Sequence, residues 1–290
     1  GNICNWYFSL PASVPEGYVV LKMIATDAVG NVKEGIASDQ LILDNTAPTI
    51  TSVQTSTNWA CAGTEVTITA TISDTNGLDG IPTLTFNGKF VTAAAAGSQY
   101  IWTYTIASDE QEGAVALVFE AKDQAGNVRT FTPSSTLISI DRKAPVIAGI
   151  TVSPAVAKVG TTLTITASVT DNQGLAELPV MTMAGFPGGT PTQTGNIFKW
   201  VLAVPAGVSE GAALIVVTAK DNAGNQQTLS NSTLKLDPNP PTLTLLSVTP
   251  DKVKSGMTVS VVASVTDYTA VSGTPTLKIG GVSATFYGKV

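Results

Sequence analysis

An all-β array of β-sandwiches set end to end is predicted by three observations. A set of motifs recurs along the chain at a spacing of about 97 residues, the mark of a repeated structural unit. Within each repeat, apolar residues alternate with Thr or Ser at period two, as in half-buried strands. No stretch of useful length carries the 3.6-residue period of a helix.

The repeat that opens at Pro48 shows the elements in order. Residues 49–53 form a short first strand. Residues 65–73 alternate strictly, with Val66, Ile68, Ala70 and Ile72 on one face and Thr on the other. Asp74-Thr75-Asn76-Gly77 is a turn by composition. Residues 82–86 form the third strand, with Pro82 at its start, where proline is tolerated. Residues 89–94 form a short fourth strand, and residues 100–106 a fifth around Trp102. Residues 115–122 form the sixth, and Asp123-Gln124-Ala125-Gly126-Asn127 a hairpin turn. Residues 136–140 are the last strand. Seven short strands with turns every 8–12 residues describe an immunoglobulin-like sandwich of about 100 residues. Each such unit would extend an array by roughly 40 Å, from strands of about 8–10 residues at about 3.3 Å each plus loops.

The repeats place the domains. Trp6, Trp102 and Trp200 occupy one repeat position, and Asp44, Asp141 and Asp237 open the three linkers. Residues 46–141 and 142–237 are then complete domains, residues 1–45 the back half of one, and residues 238–290 the front half of another. The halves fit in register. Pro179 and Trp200 are 21 residues apart, and a copy placed after Val290 sets its Trp6 at the same separation from Pro275. Two arrangements satisfy this. The chain is a window on a longer polypeptide, or it is a subunit whose front half-domain is completed by residues 1–45 of the next copy, a form of strand complementation. Either way its expected partners are copies of itself, head to tail, with Val290 close to a neighbouring Gly1.

Composition narrows the function. Charged residues make up 12% of the 290, about half the usual ~25%, which suits a weakly charged extracellular β-protein. The net charge of −6 argues against nucleic acid, which calls for a basic stripe. No run of 18 or so apolar residues exists to span a membrane. The chain has no His, so the commonest general base and zinc ligand are missing. Gly207-Val208-Ser209-Glu210-Gly211 has the Gly-x-Ser-x-Gly spacing, but no helix-period segment follows it to make the strand–turn–helix elbow of hydrolases. An enzyme is therefore not expected. Cys4 and Cys61 fall at different repeat positions. They read as free thiols or as a link between neighbouring chains, not as an internal disulfide recurring once per repeat.

Strand direction gathers carboxylates at the domain junctions. The turn after the second strand, the late hairpin and the entry linker share one end of each sandwich, while the loop before the sixth strand faces the exit linker. Junction one collects Glu16, Asp44, Asp74 and Asp123, with Asn127. Junction two collects Glu112, Asp141, Asp171 and Asp221, with Asn225. Junction three collects Glu210, Asp237 and Asp267, and would take Asp27 from the following copy. Calcium takes six to eight oxygens, chiefly carboxylate and carbonyl, so these sets are candidate calcium sites. The same residue types also shape turns, because Asp and Asn bond their own backbone. Trp6, Trp102 and Trp200 sit within alternating strands and read as core. Trp59 has no counterpart in the other repeats and is the candidate contact for a glycan or protein ligand.

The linker Asp44-Asn45-Thr46-Ala47-Pro48 and the hairpins Asp123-Gln124-Ala125-Gly126-Asn127 and Asp221-Asn222-Ala223-Gly224-Asn225 resemble those of the tandem bacterial Ig-like repeats of large surface adhesins and extracellular fibres. The resemblance covers the whole chain as repeats. Asp27-Ala28-Val29-Gly30-Asn31 and Asp237-Pro238-Asn239-Pro240-Pro241 are altered copies. The resemblance implies a cell-surface or extracellular stalk or filament serving adhesion or fibre formation, with calcium at domain junctions. A ligand-binding module of a surface adhesin, contacting glycan or a host surface, is the alternative. Some Ig-like domains also carry Lys–Asn isopeptide crosslinks, which require a buried acid beside both residues.

Overall fold

The computed structural model describes residues 3–38, 40–286 and 288, with the side chains of residues 95 and 96 excepted. The expected meeting of Val290 with a neighbouring Gly1 lies outside the described residues. The chain divides into two units, Gly1–Arg142 and Lys143–Val290. Among the described residues no helix is long and apolar enough to cross a membrane.

The first unit opens with four short strands, β1 (Gly17–Val19), β2 (Lys22–Thr26), β3 (Val32–Ile36) and β4 (Leu41–Leu43). They pair as β1–β4 and β2–β3, both antiparallel. A complete sandwich follows. Its strands are β5 (Thr49–Thr55), β6 (Trp59–Ala60), β7 (Glu65–Ser73), β8 (Thr83–Phe86), β9 (Lys89–Val91), β10 (Ala93–Ala96), β11 (Gln99–Thr105), β12 (Gly113–Ala114), β13 (Leu117–Lys122), β14 (Val128–Phe131) and β15 (Ser139–Ile140). One sheet runs β10-β11-β7-β5 and the other β14-β13-β8-β9, with a small third set β12-β15-β6. Their inner faces bury Ile68, Ile72, Leu84, Phe86, Trp102 and Phe119. Trp102 meets Phe119 edge-on at 5.4 Å between centroids, a favoured aromatic geometry.

Two details differ from the sequence expectation. The fourth strand, expected over residues 89–94, breaks at Thr92 into β9 and β10, which join different sheets. Such an edge segment can switch sheets because it has a free hydrogen-bonding side. The last strand is longer and broken: β14 returns from the hairpin against β13, and β15 then crosses to pair in parallel with β6. Short segments such as β6 show no periodicity of their own, and tertiary pairing defines them.

The second unit repeats the plan with β16 (Val146–Ser153), β17 (Val156–Ala157), β18 (Thr162–Thr170), β19 (Val180–Met183), β20 (Thr192–Thr194), β21 (Ile197–Ala203), β22 (Gly211–Lys220) and β23 (Gln226–Leu236). The sheets run β16-β18-β21-β20 and β17-β23-β22-β19. Here the last strand is continuous. The core holds Leu163, Ile165, Phe198, Trp200, Ile215 and Val217. Both first strands carry a bulge, between Thr51 and Gln54 and between Ile147 and Ile150. The second sandwich places Gly149 (φ +141°) there, whereas the first holds Ser52 at φ +52°, in the left-handed region that disfavours a side chain.

Beyond Leu236 come β24 (Thr242–Thr249), β25 (Ser260–Thr266), β26 (Lys278–Ile279) and β27 (Val282–Ser283). They pair only as β24–β25 and β26–β27. Every residue of β24 is exposed. The immunoglobulin-like sandwich is thus repeated in tandem, flanked by segments that repeat its strands without closing a core.

Candidate functional site

The late hairpin is built by one carboxylate. Asp123 Oδ1 accepts from the backbone N–H of Gly126 at 2.7 Å and of Asn127 at 2.8 Å, and its Oδ2 accepts from Asn127 Nδ2 at 2.8 Å. Gly126 sits at φ +100°, which aims two successive N–H groups at the acid and is open to glycine at no steric cost. Asp123 is fully shielded from solvent. Burial pushes its carboxyl up, and the hydrogen bonds from Asn127 and Gly126 more than offset this, holding it below the usual carboxylate range. Asp221 repeats the arrangement with Gly224, at 2.7 Å, and with the backbone and side chain of Asn225, both at 2.8 Å. Asp27 does so with Asn31 at the exposed front of the chain.

The hairpin is tied to the linker. Asn127 Nδ2 also donates to the Asp44 carbonyl at 3.1 Å. Asp44 Oδ1 accepts from Thr46 N at 3.0 Å, and its Oδ2 accepts from Asn76 Nδ2 at 2.9 Å. Asn76 N in turn donates to Asp74 Oδ1 at 2.8 Å. Asp44, Asp74 and Asp123 thereby each bring one carboxylate oxygen within 4.8 Å of the other two. All donors in this set are hard oxygens, the kind that suits calcium or magnesium rather than zinc.

The other named residues take related positions. Glu16 turns to the linker, accepting from Asn45 N at 2.9 Å and Thr46 Oγ1 at 2.9 Å, and is not one of the three. Glu210 does the same for its own linker, through Asn239 Nδ2 at 2.9 Å. Glu112 is exposed and Asp141 is buried, both in the first unit. In the second unit Asp171 Oδ1 accepts from Gln173 N at 2.8 Å, while its Oδ2 is buried with no hydrogen-bond partner among the described residues. Asp237 and Asp267 share the hydroxyl of Thr269, which lies 2.5 Å from Asp237 Oδ2 and 3.1 Å from Asp267 Oδ1. Asp237 Oδ1 is buried and likewise without a partner among those residues. The backbone N–H of Thr269 is the main cause that holds Asp267 below the usual carboxylate range. Asn127 and Asn225 act through their N–H groups, so they position carboxylates.

Trp59 is half-buried on β6 and lines an open groove with Gln54, Asn58, Thr136 and Leu137. Trp102 and Trp200 are core residues and Trp6 is exposed. Cys4 and Cys61 are free thiols.

One polar cluster was not anticipated from sequence. Glu110, 3% exposed, accepts from Lys89 Nζ at 2.6 Å, from Asn87 Nδ2 at 3.3 Å and from the Tyr104 hydroxyl. The Glu110 contact is the main cause raising the Lys89 pKa above its ordinary value. Lys89 thus pairs with Glu110 as an ion pair, with Asn87 donating to the same carboxylate. The repeat comparison held the signal: Lys89, Tyr104 and Glu110 align with Phe186, Leu202 and Val208, which pack on the second core.

Residues 204–284 match the family model of the bacterial Ig-like domain (group 3). That match runs across the linker at Asp237, from the back of the second sandwich into the segment beyond it. No curated protein matches the chain. Among solved structures it is similar to a "Ca2+-stabilized adhesin" that "helps an Antarctic bacterium reach out and bind ice", at 24% identity and TM-score 0.44, with 79% of this chain and 59% of that one covered. The chain thus spans well under two thirds of that relative's solved length. It is similar also to a structure from a 1.5-MDa bacterial ice-binding adhesin, at 18% identity and TM-score 0.44, covering 78% of this chain and 76% of that one. A third is a tetra-tandem repeat from the extending region of a large adhesion protein, at 19% identity and TM-score 0.32, covering 88% of this chain and 71% of that one. Residues 204–284 are thus similar to the bacterial Ig-like domain (group 3), and the motifs of that segment recur along the rest of the sequence.

Proposed function

We propose that the chain is a structural element of an extracellular stalk or filament, serving adhesion or fibre formation, and that calcium binds at Asp44, Asp74 and Asp123. The three carboxylates carry this reading. Each is held by backbone or Asn donors, and together they crowd like charge into a space where, without a cation, they would repel. Each offers one converging oxygen, and backbone carbonyls and water complete the six to eight that calcium takes. Asp141 and Asp237 repeat the position of Asp44, Asp171 and Asp267 that of Asp74, and Asp221 that of Asp123. The buried Oδ1 of Asp237, without a hydrogen-bond partner among the described residues, supports the same role for Asp237 and Asp267 within the second unit.

Calcium titration of the 290-residue chain, followed by calorimetry, is expected to show binding that Asp74→Asn and Asp123→Asn each weaken at least tenfold. At a free calcium concentration one hundred times Kd, binding adds about 2.7 kcal/mol to stability. No binding heat and no shift in melting at millimolar calcium would reject the ion. The stalk is tested separately by small-angle scattering. A longest dimension that grows by roughly 40 Å for each sandwich added supports it, and a particle that stays compact overturns it.

A second reading, a glycan- or protein-binding module, is favoured by the groove beside Trp59. Glycan-array binding that Trp59→Ala abolishes would establish it.

A further inference from the structure

The chain has two Asn-Gly pairs, Asn76-Gly77 and Asn87-Gly88, both in the first unit. Asparagine is among the thermolabile residues of proteins, and most of all before glycine, where no side chain shields the following nitrogen. The fold treats the two pairs differently. Asn87-Gly88 is the two-residue turn between β8 and β9, with φ of +49° and +82°, the geometry that Asn-Gly favours in hairpins. Three bonds hold Asn87. Its N–H donates to the Ala116 carbonyl at 2.9 Å, its Oδ1 accepts from Ala116 N at 2.9 Å, and its Nδ2 donates to Glu110 Oε2 at 3.3 Å. Asn76-Gly77 lies in the turn after β7. Asn76 is exposed, and its side chain makes one bond, from Nδ2 to Asp44 Oδ2 at 2.9 Å. The Gly77 N–H has no acceptor among the described residues.

We propose that Asn76 is a self-modification site, converting in the folded chain to aspartate and isoaspartate, and that Asn87 is held unreactive. The Gly77 nitrogen, having lost its proton to a solvent base, attacks Asn76 Cγ. The N–Cγ bond forms, the Cγ–Nδ2 bond breaks, and ammonia leaves with a proton from solvent, closing a five-membered succinimide. Water then opens the ring. Opening at Cγ restores the ordinary backbone with aspartate at 76, and opening at the main-chain carbonyl leaves isoaspartate, with one more carbon in the backbone. At Asn87 the same closure would pull the residue out of a paired hairpin and away from all three partners. Glycine is fixed at 77 by the fold, since φ is +94° and a Cβ there would come 3.2 Å from Gln124 Nε2. The second sandwich keeps the same turn: Gln173 N donates to Asp171 Oδ1 and Asn222 N to the Gly174 carbonyl, as Asn76 N does to Asp74 Oδ1 and Gln124 N to the Gly77 carbonyl. It places Gln173 before the glycine, and glutamine must close a six-membered ring, which forms far more slowly. Either product at 76 gives up the donor to Asp44 and sets another carboxylate beside one of three that already converge, where like charges disfavour one another. Isoaspartate also lengthens the backbone next to the Gly77 carbonyl, whose bond from Gln124 N at 3.2 Å ties this turn to the late hairpin.

The modification does not depend on the calcium reading, and its test is run in a chelator. The 290-residue chain is aged in mildly alkaline buffer beside a sample unfolded in guanidinium chloride. Fragmentation mass spectrometry then assigns the exchange of NH2 for OH to each asparagine, and chromatography separates aspartate from isoaspartate. In the folded chain Asn76 is expected to react within a few-fold of its unfolded rate, and faster as pH rises, because the attacking nitrogen must lose its proton. Asn87 is expected to fall at least tenfold below its own unfolded rate. Asn76→Gln should stop the reaction at 76. Asn76→Asp, the first product made directly, should lower the melting of the first sandwich and leave that of the second in place. Protection of Asn76 as strong as that of Asn87, or a folded Asn87 that reacts as fast as Asn76, overturns the proposal. An unchanged first transition in Asn76→Asp overturns the role given to the Asp44 bond.

Discussion

Replacing Trp200 by alanine lowers the stability of the second sandwich by about 3–5 kcal/mol, the usual cost of truncating a buried tryptophan. The side chain is 1% exposed and faces Ile165 across β18–β21, so truncation leaves a cavity between two sheets that neighbours on rigid strands cannot fill. The chain holds more than one core, so the result is best read by calorimetry, where the transition of the second sandwich moves down and that of the first does not. Trp6→Ala is the control. It alters the same repeat position at a residue 74% exposed, and leaves both transitions in place. Trp200→Phe is expected to cost less than Trp200→Ala for a second reason. The indole N–H of Trp200, like that of Trp102, is buried without a hydrogen-bond partner among the described residues, and phenylalanine removes that unsatisfied donor.

Glu110→Ala lowers the stability of the first sandwich by about 2–3 kcal/mol, below the ~3–5 kcal/mol for breaking a fully buried ion pair, because Lys89 is half exposed. The loss leaves Tyr104 and Asn87 without their common acceptor. The pH dependence has a definite sign. Burial raises the Glu110 pKa, but the hydrogen bonds from Lys89, Tyr104 and Asn87 outweigh it and set the folded value below the ordinary 4.5. A depressed carboxylate pKa stabilises the fold above the unfolded value and loses that contribution as pH falls through the folded one. Wild type therefore loses stability below about pH 4.5 more steeply than Glu110→Ala, as denaturant melts across that range would show. The second sandwich already carries the apolar alternative in Phe186, Leu202 and Val208. Installing it as Lys89→Phe, Tyr104→Leu and Glu110→Val together is expected to leave stability equal or higher, since well-packed apolar groups commonly match a buried ionic network.

The sequence by itself determined the sandwich and its tandem repetition. Strict alternation in residues 65–73 can bury only one face; of the three tryptophans read as core from alternating strands, Trp102 and Trp200 are buried, whereas Trp6 is exposed. The hairpins of Asp123 and Asp221 were legible because their chemistry is local: a carboxylate, a glycine that accepts positive φ, and an asparagine within five residues. The repeat positions also carried the convergence of Asp44, Asp74 and Asp123, since strand direction alone sends those turns to one end. Tertiary structure decided the rest. Whether residues 89–94 made one strand or two depended on which sheet offered a partner, and β6 exists only because β15 lies alongside it. Glu16 went to the linker's own N–H and hydroxyl donors, which single-strand patterning does not reveal. The Glu110 cluster joins residues from a turn, two strands and a loop, more than 20 positions apart at its widest. Hydrogen bonding at that range has no period and no motif, so only the folded backbone brings its members within reach.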